Sequence, residues 1–166
     1  MQQLVKLYQQ WAGTEPAHIE QLAGAGSNRQ YYRITAADGA TVIGVVGTSR
    51  EENHAFVYLD RHFVHHKLPV PAVLAVSDDE MRYLQTDLGS TSLFDAIRGG
   101  REAGGRYDLA EQTLLKRTIR ALPDLQIRGA NDLDWNQCYP QPVFDEDNVL
   151  FDLNYFKYDF LKLTGL

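Results

Sequence analysis

The chain has 166 residues, 44% of them hydrophobic and 23% charged, and a formal net charge of −6. That composition suits a globular protein with one sizeable core, or one small domain and the start of a second, and the acidic excess argues against a protein that grips nucleic acid by its phosphates. The single cysteine, Cys138, rules out a disulfide or a cysteine-based metal cluster within these residues and is expected to be a half-buried hydrophobe. No apolar run approaches membrane-spanning length and the first residues lack the apolar stretch of a signal peptide, so a cytosolic (cytoplasmic) location with no membrane partner is expected.

In chain order, Leu4, Leu7, Tyr8 and Trp11 recur at helical spacing, which predicts an amphipathic helix ending near Gly13. Residues Ile19 to Leu22 read as a strand entering the small-residue turn Ala23-Gly24-Ala25-Gly26-Ser27-Asn28. A second strand, rich in aromatic and β-branched types, leaves it over Tyr31 to Thr35. The pair Asp38-Gly39 supplies the positive φ of a hairpin turn onto a third strand, Thr41 to Val46. Ser49 is a candidate N-cap, with Glu51 and Glu52 in the first turn of a helix reaching about His66. Pro69 and Pro71 force an extended stretch, and Val73 to Val76 with Met81 to Gln85 form a second hairpin. Beyond Gly89 the pattern turns helical. A short helix is expected over 91–97, a glycine-rich mobile loop over 99–105, a longer helix from Leu109 to Leu122, a loop over 131–146, and a last apolar helix from Val149 to Leu163. No internal repeat is visible.

Five antiparallel strands with one helix inserted after the third define an α+β fold that resembles the small lobe of the kinase fold. The matching residues come in the expected order. Gly24-Ala25-Gly26-Ser27-Asn28-Arg29 stands where kinases place a glycine-rich loop over nucleotide phosphates, small residues there letting backbone N–H groups approach phosphate oxygens. Two glycines in a hairpin also suit a plain turn. The continuation Ser27-x-Arg29-x-Tyr31-x-Arg33, however, is similar to the loop of the bacterial N-acetylmuramate and N-acetylglucosamine kinases of the aminoglycoside-phosphotransferase superfamily. If the strand is regular from Ser27, period two sends these four side chains to one face; the alternative is a solvated strand face. Tyr83-Leu84-Gln85-Thr86-Asp87-Leu88-Gly89 resembles that superfamily's interlobe hinge, whose backbone pairs with the adenine edge. Glu51 or Glu52 stands where a kinase glutamate pairs with a lysine of the third strand. That lysine is absent from Thr41 to Gly47, and Arg29 or Arg33 is left to supply the charge. Without a partner, both glutamates are simply acids at a helix N-terminus.

The resemblance implies a small lobe over 1–87, then a hinge and an incomplete helical large lobe over 88–166. It further implies ATP and Mg²⁺ as cofactors and a small-molecule substrate in the complete enzyme, phosphorylated on a hydroxyl of an amino sugar or similar metabolite. Nucleotide binding falls to Gly24, Gly26, Ser27, Asn28, Arg29, Tyr31, Gln85, Thr86 and Asp87. No catalytic residue or magnesium ligand is assigned. The superfamily's catalytic loop, His-x-Asp-x-x-x-x-Asn, has no counterpart, since no histidine follows His66. The tail Asn148-Val149-Leu150-Phe151-Asp152 imitates the end of that loop, but Val143 occupies the place of its aspartate. This chain is therefore expected to stop ahead of the catalytic loop and to be inactive alone. The alternative is a degenerate kinase-like module that binds nucleotide or a protein partner without catalysis. Two further clusters read as structural: Asp145, Glu146 and Asp147 as a capping turn, and His62 with His66, at zinc-chelating spacing, as cations complementing a helix C-terminus.

Overall fold

The first helix runs Gln2–Ala12 (α1) and closes with Gly13 at φ 70°, whose N–H returns to Gln9 O; only glycine adopts that left-handed cap without strain. The structure is a computed structural model that describes residues 1–24 and 28–164. Five strands follow the expected order: His18–Gln21 (β1), Gln30–Thr35 (β2), Thr41–Val46 (β3), Val73–Val76 (β4) and Arg82–Thr86 (β5). They form one antiparallel sheet ordered β1-β2-β3-β5-β4. The helix Arg50–His65 (α2) lies between β3 and β4 in sequence, and Ser49 caps it by accepting from Glu52 N at 3.2 Å. The fold is α+β, as expected.

Strand alternation divides the sheet between two apolar layers. On one face Leu4, Leu7 and Tyr8 of α1 pack with Tyr32, Ile34, Val42 and Leu84. Leu4, Ile34 and Leu84 are fully buried, each contributing roughly 1.5–3 kcal/mol of transfer free energy. A Cβ at Gly44 would stand 2.9 Å from Ile34 Cδ1 and 3.0 Å from Leu4 Cδ1, so α1 approaches β3 through a glycine. On the other face Ile43, Val45 and Tyr83 pack with Tyr31, Phe56, Val73 and Val76, Phe56 belonging to α2. Two buried polar side chains fix the helix. Buried Asn53 donates to Glu80 O at 2.9 Å, and buried Asp60 accepts from Val73 N at 2.8 Å.

After β5 come two short helices, Leu93–Ala96 (α3) and Arg98–Glu102 (α4), then Leu109–Pro123 (α5) and a wide helical turn over Asp124–Arg128. Gly99 and Gly100, expected in a mobile loop, belong to α4. Gly100 N donates to Glu111 at 2.8 Å, and a Cβ there would lie 2.1 Å from Tyr107. Glu111, buried, completes a capping box with Asp108. His62 and Arg128 join the end of α2 to this region through Gly129 O and His66 O, both at 2.9 Å.

The chain divides into two compact units, Met1–Leu133 and Asp134–Leu166; the expected lobe boundary after residue 87 falls inside the first. The second unit holds the helix Glu146–Tyr155 (α6), continued as a wide helical turn over Phe156–Leu161. Asp145 caps α6 by accepting from Asn148 N, which is the capping role read from its sequence. Phe151, Leu153, Tyr155 and Phe160 of this unit are exposed. No described helix is long and apolar enough to cross a membrane.

Candidate functional site

The sheet face covered by α2 gathers most of the residues singled out in sequence. Its two ends each carry an arginine–carboxylate pair. At the end reached by the β1–β2 loop, Arg29 Nη2 lies 2.8 Å from Glu52 Oε1 and donates to Glu52 O at 3.5 Å. The guanidinium carbon stands 5.0 Å from the centre of the Phe56 ring, and that ring stacks on Tyr83 at 5.0 Å. Charge pairing and a cation–π contact thus hold one arginine on one turn of α2. The Arg29 side chain is 12% exposed and that of Glu52 44%.

The two glutamates left open in sequence now separate. Glu51 is an acid of the helix N-terminus: Ser49 Oγ donates to it at 3.0 Å, and its own backbone N–H, followed by Ser49, holds its carboxyl below the usual range. Glu52 is the one with a partner across the loop.

At the opposite end Arg33 Nε donates to Asp87 Oδ2 at 2.6 Å and Nη2 donates to Oδ1 at 3.3 Å. Asp87 Oδ1 also accepts from Gly89 N at 2.8 Å. The Arg33 hydrogen bond is the main cause holding the Asp87 carboxyl below its ordinary value. Here the carboxylate is the buried member, 5% exposed against 21% for Arg33. This forked pair ties β2 to the end of β5 across β3.

The remaining candidates are placed as follows. Gly26 and Ser27 lie outside the described residues. Gly24 and Asn28 are exposed. A Cβ at Gly24 would meet nothing, so neither packing nor a left-handed backbone requires glycine there. Tyr31 packs within the α2-side apolar layer, so its ring serves the floor of this face. Gln85 is half-buried and shares the parity of Tyr83, which puts it on the same face. Thr86 corrects the hinge expectation. Its N–H donates to Ala72 O and its Oγ1 accepts from Ala72 N, both at 3.0 Å, so the segment entering β4 already occupies that edge. The chain leaves the sheet at Asp87.

Phe56 and Tyr83 join this face, although the sequence assigned neither side chain a role in a site. Glu52 and Phe56 are four apart on a helix, a spacing that puts both on one face and was the available signal. Tyr83 is fully buried, its hydroxyl has no hydrogen-bond partner among the described residues, and burial pushes that hydroxyl up from its ordinary value. In the C-terminal unit, Asn148 Nδ2 donates to Val143 O at 3.0 Å and to Asp145 at 3.3 Å, so the stretch that imitates a catalytic loop serves as a helix cap. Among the described residues no group of three or more His, Cys, Asp or Glu side chains is arranged to hold a metal ion.

No protein-family model matches the chain, and no curated protein matches it.

Proposed function

We propose that this chain is the nucleotide-binding portion of an ATP-dependent small-molecule phosphotransferase of the aminoglycoside-phosphotransferase kind, acting in its complete form on a hydroxyl of an amino sugar or similar metabolite. The observation that carries the reading is the Arg29–Glu52 pair. It joins the end of a glycine-bearing loop to the first turn of the one helix inserted into a five-stranded antiparallel sheet. A cation at the end of a loop suits the phosphates of a nucleotide. The apolar floor of Ile43, Val45 and Tyr31 suits a base, and the chain leaving β5 at Asp87 offers backbone for its edge. A Cβ at Gly24 would meet open space, which leaves room there for a ligand.

The reading concerns binding. No described residue is assigned as catalytic base or magnesium ligand. A second reading is favoured by one feature, that no residue of β3, Thr41–Val46, carries a charge. It makes the fold a degenerate module that binds nucleotide or a protein partner without turnover. Nucleotide binding without phosphate transfer, in a protein that also carries a catalytic loop, would select it.

The test is a thermal-shift titration with Mg-ATP. Saturable binding raises the unfolding midpoint, by linkage worth about 2.7 kcal/mol at a hundredfold excess over Kd. The wild type is expected to show that rise, and a Ser27→Ala, Arg29→Ala double variant is expected to lose it. No shift in a folded wild type would remove the nucleotide reading.

A further inference from the structure

We propose that the C-terminal unit pairs with the same unit of a second copy of this chain, the helices that begin at Glu146 lying side by side and parallel. Nucleotide binding is not required for this pairing. Val149, Leu153, Phe156 and Phe160 recur at spacings of four, three and four, which sets them along one side of a helix. The rings of Phe156 and Phe160 stack at 5.3 Å, so the stripe carries on from α6 through the wide turn over Phe156–Leu161. Each of the four is at least 42% exposed. A continuous apolar stripe in water marks an interaction surface rather than a solvated one.

The charges beside the stripe identify the occupant. Asp152 and Lys157 border it on opposite sides, one residue before Leu153 and one after Phe156. Both are exposed, and among the described residues neither takes part in an ion pair. A groove on the Asp152 side is lined by two carboxylates, Asp152 and Asp159, and by Tyr155, Phe156 and Phe160. A partner that fills it needs an apolar edge with a cation beside it, and Phe156 with Lys157 of a second copy supplies both. In a parallel pair each apolar position faces its own counterpart, and Asp152 meets Lys157 of the second copy, a contact that twofold symmetry repeats. An antiparallel pair centred on the same stripe would set Asp152 against Asp159 and Lys157 against Lys157. The stripe supplies the attraction, and the flanking charges choose the orientation.

Sedimentation equilibrium of the full chain over a series of concentrations tests the pairing. Four apolar side chains from each copy make a small interface, so a weak dimer is expected, with Kd in about the ten- to hundred-micromolar range. Phe156→Glu is expected to leave a monomer. Asp152→Lys and Lys157→Asp are each expected to weaken the dimer by about tenfold, since two like-charge contacts replace two ion pairs. The double variant Asp152→Lys, Lys157→Asp is expected to restore it, which keeps the test open should Phe156→Glu fail to fold. A wild type that stays monomeric at the highest concentration would overturn the proposal and leave the stripe to a different partner. So would a dimer that survives Phe156→Glu. A dimer unchanged or strengthened by Asp152→Lys would overturn it too, the second result setting position 152 against Asp159 of an antiparallel mate.

Discussion

The two ends of the sheet face under α2 carry the same chemistry in opposite arrangements. At the strand end the carboxylate of Asp87 is buried and Arg33 reaches it with a fork; at the loop end the arginine is the sheltered partner and Glu52 stands in water. A buried carboxylate bound by two N–H groups and by the Gly89 amide belongs to the fold, because removing its partner leaves a charge without solvent. An arginine held by an exposed carboxylate costs the fold little to rearrange and keeps a cation beside the loop. The comparison teaches that one arginine of the Arg29-x-Tyr31-x-Arg33 series is tied to a buried carboxylate, and that the other is tied to an exposed one beside the loop that the proposed function gives to the nucleotide.

The comparison breaks most readily at the strand end. Asp87→Ala is expected to lower stability by about 2–3 kcal/mol in urea unfolding, less than a fully buried pair because Arg33 keeps some access to water. A loss under about 0.5 kcal/mol would make the two ends equivalent. The same pair sets an acid dependence. The Asp87 carboxyl is held below its ordinary value in the folded state, so its contribution is full above the unfolded pKa and is lost as pH falls through the folded one. The stability gap between wild type and Asp87→Asn should therefore be flat above about pH 5 and close below about pH 4. A gap that widened on acidification would contradict the assigned sign.

At the loop end the expected effects on stability are smaller. Glu52→Ala should cost less than about 1 kcal/mol, the range of exposed pairs. Smallest of all is Gly24→Ala, expected within about 0.5 kcal/mol of wild type because its Cβ meets nothing. If its glycine serves a ligand, the same variant should weaken Mg-ATP in titration without moving the unfolding midpoint of the free chain.

Much of this arrangement is legible in the sequence. Apolar periodicity placed α1 and the strands, Asp38-Gly39 marked the turn at Gly39, whose φ is 88°, and Ser49 with its following acids marked the start of α2. These are local signals, and local chemistry decides them. Pairings across distance were legible only in part: Arg29 or Arg33 was a candidate partner for Glu51 or Glu52, and the structure joins Arg29 to Glu52. Nothing near Arg33 announces Asp87, 54 residues away. Gly99 and Gly100 looked like loop residues because glycine disfavours helix, yet the contact with Tyr107 and Glu111 requires the missing side chain. Thr86 read as a free strand end because its neighbour Ala72 lies beyond a second hairpin.

The most direct test of nucleotide binding on the α2 face is amide NMR of the ¹⁵N-labelled chain titrated with Mg-ATP. The account predicts saturable shifts confined to the stretch from Gly24 to Tyr31, Glu52 and the stretch from Gln85 to Gly89, with α6 unmoved. Shifts absent throughout, or gathered on residues far from these, would contradict it.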